Sequence, residues 1–192
     1  MSGLIHKFVQ IALLRAGPQE LPGLSMVLWI AIGSVFITSL AGLLFAYPFA
    51  DALIRCLAAI AIPAAILYGA LQIKRTPSRF TQCYAAICGA SAVVYVLALP
   101  LMPTFFSATV NTLAGKLVVV IILLLDVWML LITAHIFKHT FDVGMATGVS
   151  LSLGLMVLTL LAIEAVAPAA PAPIDQHSSL TINYDPPTRT AT

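Results

Sequence analysis

Residues 117–138, LVVVIILLLDVWMLLITAHIFK, form an apolar run broken once, near its centre, by the carboxylate of Asp126. A helix crosses roughly 30 Å of hydrocarbon in about 20 residues at 1.5 Å rise each, so a run of this length predicts a membrane span. Fifteen of its residues are Leu, Ile, Val or Phe. They favour insertion by roughly 4–9 kcal/mol, against about 2.5–3.5 kcal/mol for an aspartate at the helix centre. The helix therefore inserts with its acid inside. Asp126 follows Lys116 by about 15 Å of helix, which puts it close to the bilayer midplane.

The remainder of the chain has the same character. Of 192 residues, 61% are apolar and 8% charged, a balance that no water-soluble domain of ordinary size keeps dispersed. Backbone groups in lipid must bond internally, so the spans are helices. No ten-residue segments of alternating polarity suggest a barrel. The fold class is all-α: a polytopic bundle of five transmembrane helices at about 24–46, 52–73, 83–101, 117–138 and 143–166. An amphipathic helix precedes it in residues 3–15, with Leu4, Ile5, Phe8, Ile11 and Ala12 on one face and His6, Lys7 and Gln10 on the other. It is too short to span, and the expectation is that it lies on the membrane surface or packs as a cap onto the bundle. Gly17-Pro18 to Pro22-Gly23 breaks it. Pro63 interrupts the second span, where neighbouring helices would cover the freed carbonyl. Met102 to Gly115, without charge, reads as a short external loop, and the Ala/Pro/Ser/Thr-rich residues 167–192 as an extended or disordered tail.

Charge placement gives an orientation. With the N-terminus cytoplasmic, Lys7, Arg15, Lys74, Arg75, Arg79 and Lys138 lie inside, and Arg55, Lys116 and Arg189 outside. The positive-inside rule favours this arrangement, with residues 74–79 as the marker loop and the C-terminus across the membrane, in the periplasm of a bacterial inner-membrane protein. The net charge of +2 is scattered, which excludes a nucleic-acid-binding surface and leaves the lipid bilayer as the evident partner. Cys56, Cys83 and Cys88 read as buried thiols, not as a disulfide or metal set.

Three places merit attention as sites. Asp126, with Thr133 seven residues on and on the same helix face, is either a proton- or ion-responsive group lining a polar path or a neutral, protonated carboxyl bonded to a helix neighbour. The second reading is preferred, since a path recruits several polar residues and few are evident at that depth. Arg55 and Glu164 sit near the outer ends of their spans, where they can reach water. His135 and His139, four apart, share another face of the same span. They could hold a metal or haem if further ligands joined them, but interfacial anchoring is preferred, and no cofactor is assigned. Gly144 and Gly148 form a GxxxG, read as intramolecular helix packing. No phosphate-binding loop, nucleophile elbow or hydrolase triad is present, so enzymatic chemistry has no foothold.

The stretches LLRAGPQELPGL (13–24), RFTQCYAAICGASAVVYVLALPL (79–101) and AHIFKHTFDVGMATGVSLSL (134–153) resemble small inner-membrane proteins of Gram-negative bacteria that are similar in layout to the Yip1 family. That resemblance implies five spans, a cytoplasmic N-terminus and action through protein partners, not catalysis. It supplies no site residue. The short Tyr-Gly-containing signatures of the eukaryotic members are missing, and the N-terminal region here is only about 23 residues long. Three functions are therefore open. The first is a non-enzymatic Yip1-like interaction or membrane-organising factor, contacting other membrane proteins or a second copy through its N-terminal helix. The second is a small transporter or channel component using Asp126, and the third a haem- or metal-bearing subunit using His135 and His139.

Overall fold

The computed structural model describes residues 2–21, 23–107 and 112–168, and every regular element among them is helical. The polar tail, from residue 169 on, lies outside the described residues. Five helices are long and apolar enough to cross a membrane: α2 (Ser25–Leu43), α3 (Phe49–Ile73), α4 (Phe80–Ala98), α6 (Leu113–Phe141) and α7 (Met145–Val166). Preceding them is α1 (Ser2–Ala12), and a single turn, α5 (Met102–Phe105), extends α4 through the bend at Leu99–Leu101. The stretch expected to be an external loop thus begins as a continuation of α4. Pro100 and Pro103 sit within the first two positions of their helical turns, where a missing N–H costs nothing.

The five spans close into a ring in the order α2, α3, α7, α6, α4 and back to α2. The tightest seams are α2 against α4 and α6 against α7. The second seam depends on Gly148, where a Cβ would come within 2.6 Å of the Ala134 carbonyl, and it is tied by Ser152 Oγ donating to Leu130 O at 3.1 Å. Only half of the GxxxG makes this contact. Gly144 caps the start of α7 and meets nothing within 4 Å.

The helix α4 is the hub. Every residue from Cys83 to Ala92 is buried, because one face packs on α2 and α6 while the opposite side carries α1. The amphipathic helix is packed against the bundle, the cap of the two expected positions. Phe8, Ile11 and Ala12 are buried in the core, and the Phe8 ring occupies the space a Cβ on Gly89 would need, at 2.3 Å. Trp128 of α6 donates its indole N–H to Ala12 O at 2.9 Å, and Lys7 Nζ donates to Glu20 O at 2.5 Å. Gln82 of α4 donates to Leu21 O at 3.0 Å. The segment after the helix is thereby fixed to the same end of the bundle as Lys74, Arg75, Arg79 and Lys138, called the basic end below.

Through Pro63, α3 continues as one helix. Pro63 has no N–H for the Ala59 carbonyl, and the adjacent Ile60 carbonyl accepts from the Tyr84 hydroxyl of α4. The outward faces of α2, α3, α6 and α7 expose Trp29, Ile37, Leu57, Leu123, Leu124, Leu158 and Leu161, among others, as a lipid-facing surface requires. Cys56, Cys83 and Cys88 are buried and unpaired.

Candidate functional site

The ring is not solid. A cavity of about 440 Å³ is lined by residues of all five spans. Its floor, toward the basic end, is set by Pro63 of α3, Tyr84 of α4, Thr133 of α6 and Ser152 of α7. It extends past Ser39, Ser91, Tyr95, Asp126 and Thr159 to Ala98, Met102 and Ile163 at the opposite end. Asp126, an exposed residue, is one residue from the middle of α6, and both it and buried Thr133 border this space.

The hydroxyls along the wall divide into two kinds. Ser91 donates to Ile87 O at 2.8 Å, Thr133 to Met129 O at 3.0 Å and Ser152 to Leu130 O at 3.1 Å, each satisfying its proton on a helix carbonyl. Asp126 is different: no described residue donates to it or accepts from it, and Thr133, the bonding neighbour suggested by sequence, is committed elsewhere. Thr159 Oγ1 is also buried without a hydrogen-bond partner among the described residues. Tyr95, 39% exposed, faces the same space and lies within electrostatic range of Asp126. The lining holds one carboxylate and no lysine, arginine or histidine.

A cluster of side-chain contacts lies beyond each end of the cavity. Toward the basic end, Tyr68, Phe80 and Tyr84 form an aromatic column between α3 and α4, with ring centroids 5.4 and 5.5 Å apart, and the Tyr84–Ile60 bond completes it. At the opposite end, Arg55 of α3 is only 6% exposed. Its guanidinium donates to Glu164 Oε1 of α7 at 3.2 Å and to Ala167 O at 2.5 Å, and it lies 4.4 Å from the centre of the Tyr47 ring. Arg55 therefore does not extend to water, and Glu164 has a structural partner. This differs from the expectation for both, because two helix ends that sequence cannot juxtapose meet across the ring.

His135 and His139 point away from this cavity. Their rings pack edge to face at 4.6 Å, on the side of α6 that carries the N-terminal segment. His139 lies beside Gly17, and its carbonyl accepts from Gln19 at 3.3 Å. Among the described residues no group of three His, Cys, Asp or Glu gathers as a metal set. A second, smaller cavity of about 70 Å³ sits here, walled by Gln19, Arg79, Gln82 and His139. Arg79 is already held by Thr140 O at 2.9 Å and Asp142 Oδ2 at 3.0 Å.

Sequence reasoning singled out Asp126 and Thr133, which line this cavity, but not the wall around them. The missed signal is a polar stripe at helical spacing on two spans: Tyr84, Cys88, Ser91 and Tyr95, three or four apart on α4, and Ser152 and Thr159, seven apart on α7. In comparisons with protein-family models, curated proteins and solved structures, nothing matches this chain.

Proposed function

We propose that this membrane protein is a solute-binding component of the transporter class, and that the ring cavity with Asp126 is its binding site. The observation that carries this is a carboxyl group at mid-depth, facing a 440 Å³ space and bonded to no described residue. An acid kept inside a bilayer without a protein partner is tolerated where it lines a cavity reached by water or solute, and such residues mark ion and substrate pathways. The cavity falls within the roughly 300–1,000 Å³ typical of small-molecule sites. The aromatic column lies toward one end of the cavity and the Arg55–Glu164 link toward the other, and passage across the membrane would run past both. No covalent chemistry is involved.

We further propose that the basic end is cytoplasmic and that the membrane is a bacterial inner membrane, from the lysines and arginines gathered there. The cavity would then reach toward the periplasmic side. A Yip1-like organising role is supported by the number of spans. Against it, the apolar face of α1, the contact such a role would use, is buried on the bundle.

A membrane-permeant carbodiimide tests the proposal. Dicyclohexylcarbodiimide should place a single adduct on Asp126 of the purified chain, seen by mass spectrometry and lost in Asp126→Asn. If no adduct forms, or if it remains in Asp126→Asn, the cavity is not a solute site.

A further inference from the structure

We propose that the occupant is a monovalent organic cation with an apolar body, seated with its charge at Asp126. This inference rests on the cavity being a solute site and adds its chemical class.

Charge gives the sign. Asp126 is the single ionised-type side chain on the wall, with no cationic residue to offset it. An anion would meet like charge in a medium of low dielectric, whereas a cation supplies the counter-charge that the fold withholds. Hydrogen-bonding capacity gives the character of the body. The hydroxyls of Ser91, Thr133 and Ser152 already donate to helix carbonyls. A sugar or another polyhydroxylated solute would therefore find few free donors and lose more water contacts than the wall replaces.

What the wall offers instead is soft apolar surface. Half of the chain's six methionines, Met102, Met129 and Met156, face the cavity. Unbranched thioethers adapt to irregular shapes and are favoured where one surface must accept varied ligands. Tyr95 lines the same wall as Asp126, and aromatic faces attract desolvated cations. A bare metal ion fits poorly. It needs several hard or charged ligands within about 2.0–2.6 Å, and no such group is assembled among the described residues, while the space is far larger than one ion fills.

Two ions of matched shape and opposite charge provide the test. Radiolabelled tetraphenylphosphonium should bind the purified full chain saturably, close to one per chain, in equilibrium dialysis, and tetraphenylborate should not. Asp126→Asn should weaken phosphonium binding at least tenfold. In the unaltered chain, phosphonium but not borate should protect Asp126 from carbodiimide, a readout that does not depend on how the variant folds. Equal retention of the two ions, non-saturable uptake, or undiminished binding in Asp126→Asn would overturn the proposal. If carbodiimide still labels Asp126 while phosphonium neither binds nor protects, the cation class is wrong and the solute site stands. If labelling is also absent, both are wrong.

Discussion

Gly89 is the residue on which the docking of the N-terminal helix turns. A Cβ there would lie 2.3, 2.4 and 2.7 Å from Cδ1, Cε1 and Cγ of Phe8, and Phe8 is 7% exposed between α1 and α4. The Cγ contact excludes relief by a ring flip alone, because flipping turns the ring about an axis through Cγ. Gly89→Ala must then displace Phe8, and α1 with it. Overpacking of this kind costs about 1–3 kcal/mol, and every 1.4 kcal/mol is a factor of ten in an equilibrium. Amide exchange within α1 should consequently accelerate by roughly five- to 150-fold. Trp128 provides an optical readout, since its indole donates to Ala12 O and the chain's other tryptophan, Trp29, is 69% exposed and removable as Trp29→Phe. In that background Gly89→Ala should change Trp128 emission, and Phe8→Ala added to it should restore both emission and exchange by vacating the space. Unchanged α1 exchange in Gly89→Ala, or a double variant worse than the single one, would refute the argument.

Gly148→Ala should lower the midpoint of thermal unfolding in detergent, by about 2–4 °C per kcal/mol for a chain of this size. Gly144→Ala should leave it unchanged, because only the Gly148 position abuts the Ala134 carbonyl. Glu164→Gln removes the charge facing a guanidinium that is 6% exposed. With the Glu164 side chain itself 58% exposed, solvent screening keeps the expected loss to about 1 kcal/mol, read in the same assay. For orientation, alkaline phosphatase fused after Thr192 should be active and fused after Arg75 inactive; the reverse pattern would invert the assigned topology.

The spans were legible because hydrophobic length is read one segment at a time: Leu113–Phe141 and Met145–Val166 fall within a few residues of their expected limits. The two faces of α6 were legible for the same reason. Asp126 and Thr133 stand on one side and His135 and His139 on the other, as 3.6-residue periodicity dictates. What sequence did not reveal depends on which helices meet. Gly89 is an ordinary glycine until Phe8, 81 positions earlier, is laid over it, and Arg55 and Glu164 look like two residues near water until α3 and α7 adjoin. The cavity was hidden more thoroughly. Serine and threonine cost little in a span, so seven single hydroxyls, two of them on tyrosines, spread over four helices add up to a polar wall only after the ring closes.

The position of Arg55 decides how Asp126 should respond to mutation. Arg55 lies six residues, about 9 Å, inside the end of α3 remote from the basic end, while Asp126 lies thirteen residues, about 20 Å, inside the corresponding end of α6. Some 10 Å of depth therefore separates the two, and Arg55 is turned toward Glu164, Ala167 and Tyr47. The protein thus holds an intramembrane arginine and an intramembrane acid without pairing them, and no described residue is hydrogen-bonded to the acid. Replacing a carboxyl bonded within the bundle would cost about 1–3 kcal/mol by stranding its partner. Replacing an unbonded one by the neutral amide strands nothing and removes a group that is expensive at that depth. Asp126→Asn should leave the thermal midpoint of the empty protein unchanged or raise it by about 2–4 °C, while binding of the organic cation falls. Stability and binding moving in opposite directions is the signature of a site maintained against the preference of the fold. A lowered midpoint in Asp126→Asn would instead mean that the carboxyl holds the bundle together.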